Sequence, residues 1–281
     1  MIKSIKESIT NPENHFDEVF KKLELRYPSG EDPWGLNLKK AKKSIEYIWP
    51  IYKNYFRVRV FGKENVGDQP YMVIANHSGQ IAIDGMLICT AFAMEIDPPR
   101  ILRAMVERFF TALPWVGTWG AEGGGVLGDR QNCLKLLNKG ESVLAFPEGV
   151  RGVAKSTSEY YKLQRFTRGF YRMALTAQVD ILPVAVVGAE EVFPWVYQAS
   201  SLAKKIGLPA LPVSPLYFPL PSPIDIYIGE PISISNELSP ESSDSQIDEQ
   251  VIRVEKIIQQ MTNEGIEKRR AFFANVRGPK E

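Results

Sequence analysis

Only two histidines occur in the 281 residues, and one stands at a position well suited to chemistry. His15 lies in a charged N-terminal segment, whereas His77 follows an apolar run in Tyr71 to Asp84, YMVIANHSGQIAID. Imidazole is the side chain that gains and loses a proton near neutral pH. At the carboxyl end of a buried strand it is held by rigid neighbours yet faces a ligand crevice. That suits a general base taking a proton from a hydroxyl. The alternative is a histidine that caps the next helix or simply pairs with Asp84. A second strand-like run, Glu141 to Gly152, ESVLAFPEGVRG, also ends in polar groups, a Pro-Glu-Gly-x-Arg turn.

The Asn-His with a following Asp, and then FPEG-x-R, resemble signatures of the glycerolipid and lysophospholipid acyltransferases related to lysophosphatidate acyltransferase. Gly124 to Arg130, GGVLGDR, resembles that family's second block, and Ile181 to Gly188, ILPVAVVG, its fourth. The likeness runs from about Trp34 to Ile232 and takes in Lys63-Glu64-Asn65 and the proline-rich stretch near Tyr217. It implies transfer of a fatty acyl group from acyl-CoA or acyl carrier protein to a hydroxyl of a lysophospholipid or other glycerolipid. It implies His77 as base, with Asp84 fixing its tautomer and Asn76 holding the loop. Arg130 and Arg151 would clamp an acceptor phosphate, and Glu148 and Gly149 would belong to the acceptor site. Glu148 would either bond a glycerol hydroxyl or hold Arg151. No metal or other cofactor is implied. One departure stands out: His77 and Asp84 are separated by SGQIAI, two residues longer than the family pattern. A continuous helix there would put the pair roughly 10 Å apart. A turn at Ser78-Gly79, with a helix starting near Gln80, brings Asp84 back toward the ring.

A thioester supplies its own activation, so a lone histidine base suffices where a protease also needs a nucleophile. Ser78 is no nucleophile on this reading, because neighbours in extended chain point apart and no GxSxG elbow is present. Arg130 and Arg151 each follow a glycine-containing turn, where backbone and guanidinium can approach a phosphate together. Lys155, Arg165 and Arg168 are weaker candidates, since charge near a site is often solvated charge. Gly123 to Gly128, GGGVLG, fits the dinucleotide fingerprint with Glu148 twenty residues on. Its context does not, because LPWVGTWGAE precedes it where a buried strand should be.

A chain of this length with 44% apolar residues buries a full core. Its pattern predicts an α/β fold: a single-domain mixed sheet flanked by helices, glycerol-3-phosphate acyltransferase-like, with amphipathic N-terminal helices. Strands are expected at Arg57 to Phe61, Tyr71 to Ala75, Ile101 to Met105, Ser142 to Phe146, Ile181 to Val187 and Ile224 to Ile228. Helices are expected at Asn11 to Tyr27, Asp84 to Phe92, Gln131 to Asn138, Leu163 to Ala177, Tyr197 to Ile206 and Gln246 to Asn263. The organisation reads as N-terminal helices over 1–56, the α/β domain over 57–235, and a helical tail over 236–281 packed on it.

Thirty-four basic and 33 acidic residues leave a net charge of +1, so nucleic acid is not an expected partner. Cys89 and Cys133 are too few for a disulfide framework and read as plain thiols in a reducing compartment. The first residues are too polar for a secretory signal, and no apolar run is long enough to span a bilayer. Leu36 to Val60 nevertheless mixes lysines and arginines with Tyr47, Trp49, Tyr52, Tyr55 and Phe56. That suits a helix lying on the cytoplasmic side of a membrane, or one packed on the sheet with its lysines in water. Pro50 should kink or end it. Leu208 to Pro223 is too apolar for a linker and must be covered; the resemblance implies a segment that lines the acyl pocket or touches the bilayer through Leu216, Tyr217 and Phe218, and the alternative is an extended loop against the core. The rival to the enzyme is a lipid-binding protein of the same fold that has lost activity, for which the stretched His77 to Asp84 spacing is the support. The sequence leaves the oligomeric state open.

Overall fold

The computed structural model describes residues 12–78, 82–111, 114–193, 196–199, 212–213 and 218–269. Along the chain come α1 (Pro12–Arg26), α2 (Leu38–Pro50), β1 (Arg59–Phe61), β2 (Met72–Ala75), α3 (Ile83–Met94), β3 (Arg103–Val106), α4 (Arg108–Thr111) and α5 (Val116–Glu122). There follow β4 (Val126–Leu127), α6 (Arg130–Asn138), β5 (Val143–Ala145), α7 (Val150–Val153), α8 (Gly169–Ala177), β6 (Ile181–Val187), β7 (Tyr197–Gln198), β8 (Pro212–Val213), β9 (Asp225–Ile228) and α9 (Asp244–Glu267).

Seven strands form one mixed sheet in the order β1-β9-β6-β2-β5-β3-β4. From β6 to β4 the strands are parallel, while β9 runs antiparallel to β6 and β1 parallel to β9. Every residue of β2 and β6 is buried, as their unbroken apolar runs require when helices cover both faces. Alternate side chains then serve opposite layers: Val73 and Ala75 pack with α3 and the end of α2, and Met72 and Ile74 pack with α6, α8 and α9. A third cluster joins α1 and α2 to the end of α3 through Phe20, Leu23, Ala41, Ile45 and Met94. His15 belongs to this support, its Nε2 lying 3.3 Å from the Met94 carbonyl oxygen. Cys89 and Cys133 are free, and burial pushes both thiols up to about 12. No described helix is long and apolar enough to cross a membrane.

Two expectations are corrected, and one strand is added. The helix expected from Leu163 begins only at Gly169, because the amides before it are spent elsewhere. Leu163 N–H goes to Gln259 Oε1 at 3.0 Å, Gln164 N–H to Glu148 Oε2 at 2.7 Å and Phe166 N–H to Glu255 Oε2 at 3.0 Å. Tyr197 and Gln198, expected to start a helix, instead form β7 and pair antiparallel with β8; the rest of that expected helix, 200–206, lies outside the described residues. The two-residue strand β4 was not foreseen, and it sits inside Gly123 to Gly128 just after α5. The fingerprint of strand, glycines and helix is therefore absent there. At Pro50 the α-helical bonding ends and the next turn, Ile51–Tyr55, is π-helical, since proline offers no N–H to the turn before it.

One side chain ties the central strands together beyond the ladder. Asn76, fully buried past the end of β2, gives its Nδ2–H to Val186 O at 3.0 Å and accepts Val186 N–H at Oδ1 at 2.7 Å. It thereby continues the β2–β6 pairing with a side chain in place of a backbone. Asn76→Ala should cost about 2–4 kcal/mol, because buried backbone groups are left unpaired. Urea unfolding measures this, and a loss below about 0.5 kcal/mol, the scale of a surface change, would mean the tie is not made in solution.

Candidate active site

The parallel strands deliver their following residues to one edge of the sheet: Asn76-His77 after β2, Glu148 after β5, Arg108 after β3 and Arg130 after β4. His77 is the centre of this edge. Its Nδ1 lies 2.7 Å from Asp84 Oδ2, and the ring stacks on Phe146 with centroids 4.1 Å apart. Asp84 is fully buried in the first turn of α3, where the helix dipole favours an anion. Its carboxylate is further satisfied by Ser78 N–H at 2.8 Å and by its neighbour Gly85 N–H at 2.7 Å. The two extra residues between His77 and Asp84 thus do not separate the pair. The helix begins at Ile83, and residues 79–81, where the turn was expected, lie outside the described residues. With Nδ1–H donated to a carboxylate, Nε2 carries the lone pair. Part of the ring is open, since the side chain keeps 13% of its exposure.

Glu148 turns inward. It is buried; Oε1 accepts the His77 backbone N–H at 2.7 Å, and Oε2 accepts Gln164 N–H and lies 3.1 Å from Lys155 Nζ. It does not hold Arg151, whose Nη2 donates to the Arg165 carbonyl at 2.7 Å. Gly149 takes φ 58° and ψ −148°, a conformation essentially confined to glycine, so its type is explained by the turn into α7. Arg151 and Arg130 are both exposed, and Arg130 has no ion pair among the described residues. Arg165 and Arg168 face away toward α9, Arg168 gripping Asp248 at 2.6 and 2.7 Å.

Three contributors were not legible as such. Lys155, ranked low as solvated charge, is buried and sits between Glu148, Glu190 and the His77 carbonyl. Glu190, just past β6, is also buried, and burial pushes its carboxyl up to about 7 against the pull of Lys155. Gly152 is the third. A Cβ there would lie 2.7 Å from His77 Cβ and 3.0 Å from Glu148 Cβ. The glycine after FPEGVR was a visible signal for that close approach; burial of Lys155 and Glu190 had none.

A mixed α/β sheet with a histidine and carboxylate at the strand ends defines the class of the fold, and comparisons specify it. Residues 57–187 match the family model described as Acyltransferase. An uncharacterised protein of Mycobacterium tuberculosis (strain ATCC 25618 / H37Rv) is 34% identical over 234 residues, covering 79% of this chain and 65% of that protein. The human "DGAT1/2-independent enzyme synthesizing storage lipids" is 24% identical over 215 residues, covering 72% of this chain and 62% of that enzyme. The chain therefore spans somewhat under two thirds of the length of these relatives. PlsC, the 1-acyl-sn-glycerophosphate (LPA) acyltransferase of Thermotoga maritima, shares the fold with a TM-score of 0.50 and 18% identity over 79% of this chain and 82% of that one. Residues 57–187 therefore carry a domain of the Acyltransferase family, in a fold shared with PlsC.

Gly152→Ala probes the packing of α7 on the His77 loop. Overpacking at this contact should cost about 1–3 kcal/mol, read as a lower urea midpoint, whereas an unchanged midpoint would show that α7 and the loop do not meet so closely.

Proposed function

We propose that the chain moves a fatty acyl group from a thioester, acyl-CoA or acyl carrier protein, to a hydroxyl of a lysophospholipid or related glycerolipid, with His77 as general base. The observation that carries this reading is the 2.7 Å contact of His77 Nδ1 with the buried Asp84 carboxylate. It fixes the tautomer whose Nε2 accepts a proton. In the step it supports, Nε2 takes the hydroxyl proton as the oxygen attacks the thioester carbonyl carbon. The tetrahedral oxyanion then collapses, the carbon–sulfur bond breaks, and the thiolate leaves with the proton returned by the imidazolium. Asp84 stabilises the imidazolium between those events. A positioned base of this kind contributes about 10²–10⁴ in rate.

Arg130 is the best-placed cation for an acceptor phosphate, because it is exposed at the same sheet edge as His77. Three strand spacings separate β2 from β4, roughly 14 Å, a span that a glycerophosphate and a long arginine bridge together. Arg151 follows the FPEG turn and is the second candidate, although one end of its guanidinium is engaged.

We also propose peripheral attachment to a lipid surface. Ser44, Tyr47, Ile51 and Tyr55 succeed one another along the outward side of α2 and its π-helical extension, and the last three are exposed. At one end, Trp119 Nε1–H donates to Ser44 Oγ at 2.9 Å, and the exposed Trp115 stands one turn before it at the N-cap of α5. At the other, Tyr55 O–H donates to the Pro219 carbonyl at 2.6 Å beside Phe218, which is 84% exposed. Exposed Lys39 and Lys43 flank the stripe. Aromatic rings with lysines beside them suit the headgroup region of an anionic bilayer. Phe218 is the one expected contact of its loop that falls within the described residues; Leu216 and Tyr217 lie outside them.

Acyl transfer from labelled acyl-CoA and acyl carrier protein to lysophospholipids, glycerol 3-phosphate and monoacylglycerol tests the first proposal. Neutral alcohols belong in the panel because one relative is named for storage-lipid synthesis. His77→Ala should cut transfer at least about 10²-fold in a folded protein, and Arg130→Ala should hurt phosphorylated acceptors more than neutral ones. Silence of the folded wild-type chain across the panel would leave a lipid-binding protein of this fold. For the second proposal, sedimentation with anionic vesicles should pull down the wild-type chain and lose it in Trp115→Ala/Trp119→Ala/Tyr47→Ser; equal sedimentation of both would remove the stripe as the contact.

A further inference from the structure

Beneath His77 lies a cluster of charge that the acyl-transfer step does not use. Lys155, Glu148 and Glu190 are each nearly or fully buried, at 3%, 1% and 2% exposure. An ammonium has three donors and no acceptor, and Lys155 has three oxygens within reach. Its Nζ lies 3.2 Å from the His77 carbonyl oxygen, 3.1 Å from Glu190 Oε1 and 3.1 Å from Glu148 Oε2. Glu190 is in turn fixed by the Tyr161 backbone N–H on its other oxygen. Since Glu148 also accepts the His77 backbone N–H, both backbone polar groups of this one histidine are held by charged side chains of one cluster. The side chains arrive from three places: Glu148 from the end of β5, Lys155 from beyond α7 and Glu190 from the end of β6. They meet just past the end of β2, the strand between β5 and β6.

The ring of His77 is held at Nδ1 by Asp84 and on its face by Phe146, and Asp84 also accepts the Ser78 N–H, but the carbonyl of the peptide from which the ring projects is held by Lys155. A rotation of that peptide swings the imidazole and redirects Nε2. Productive geometry at a reacting centre tolerates only about 0.5 Å, and the supporting groups decide whether it is kept. The electrostatics agree with a gripping role. Two buried carboxylates repel one another, and burial together with Glu148 raises Glu190 while Lys155 opposes the rise. The ammonium lies between the two carboxylates and joins them to the His77 carbonyl.

We propose that Lys155 and Glu190 are positioning residues for His77: the ammonium, anchored by Glu190, grips the His77 carbonyl and keeps the imidazole on Asp84 with Nε2 toward the reacting hydroxyl. This rests on the reading of His77 as the base, so the test has one readout independent of turnover. The chain holds only two histidines, so protein carrying nitrogen-15 histidine gives two sets of ring signals, and His77→Ala assigns them. In the wild-type chain the His77 ring should report a single neutral tautomer with its proton on Nδ1. Lys155→Met removes the grip at similar volume. It should replace the single tautomer by a mixture, with kcat lowered at least about tenfold and KM for both substrates little changed.

Glu190→Gln keeps the shape but offers one amide oxygen to two donors, Lys155 and the Tyr161 N–H, so it should move the same ring signals in the same direction by less. It carries the test alone if Lys155→Met does not fold. A lower melting temperature with His77 ring signals identical to wild type in the folded variants would overturn the proposal, because the cluster would then be a strut and nothing more. Ring signals that move in a chain whose wild type transfers no acyl group would instead sink the acyltransferase reading and leave the positioning role standing.

Discussion

The site depends on one buried carboxylate. Asp84 is removed from water in the first turn of a helix that is itself buried on nearly every side, and a charge there is tolerable only if it is fully bonded. His77, Ser78 and Gly85 supply those bonds. His77 and Ser78 follow β2 and Gly85 lies in the first turn of α3, so satisfying the carboxylate also ties the exit of the strand to the start of the helix. This explains how a linker longer than the family pattern still brings ring and carboxylate together: the anion recruits the histidine whatever the number of residues between them.

Much of the fold was legible because it rests on periodicity. Unbroken apolar runs marked β2, β5 and β6, and amphipathic spacing marked α1, α6 and α9, since the same burial that stabilises each element writes its pattern. The failures have a common cause. Leu163 to Arg168 carries helix-like spacing, yet Gln259, Glu255 and Glu148, distant in sequence, take its amides, and no local pattern reports a partner on another element. The strand β4 has two residues, too few for any periodicity. Tyr197 to Ile206 had helical spacing, but an apolar stretch that short does not distinguish a helix from an extended pairing segment.

At the site, residue types that chemistry demands were visible and residue environments were not. His77 and Asp84 could be named from one motif and the order of blocks. Glu148 was placed by resemblance in the acceptor site, bonding a glycerol hydroxyl or holding Arg151; its oxygens are engaged by the His77 N–H, Gln164 and Lys155. Lys155 was discounted on the sound general ground that lysines are usually solvated. What reverses that ground is the presence of two carboxylates and a carbonyl at the ends of neighbouring strands, which only the strand order brings together.

The strand order also settles which parts of the surface share an edge with His77. Had all seven strands been parallel, the residues before β9 would enter from the edge opposite His77. Because β9 is antiparallel to β6, Asp225 stands beside Val187 at the end of β6, and the chain from Phe218 approaches β9 on the edge that carries His77. Arg59 pairs with Asp225, so the π-helical turn that leads into β1 ends on that edge too. Meanwhile α5 follows the end of β3 at the far side. Helix α2 begins beside α5, with the Asn37 N–H on the Glu122 carbonyl, and runs to β1, which requires it to cross the width of the sheet. Its exposed aromatic side is therefore joined at both ends to segments of the edge that carries His77. One reversed pair of strands in the sheet puts the proposed lipid-facing stripe and the proposed base on neighbouring faces, so an acceptor anchored in a bilayer by its acyl chain need extend only its polar head to reach Nε2.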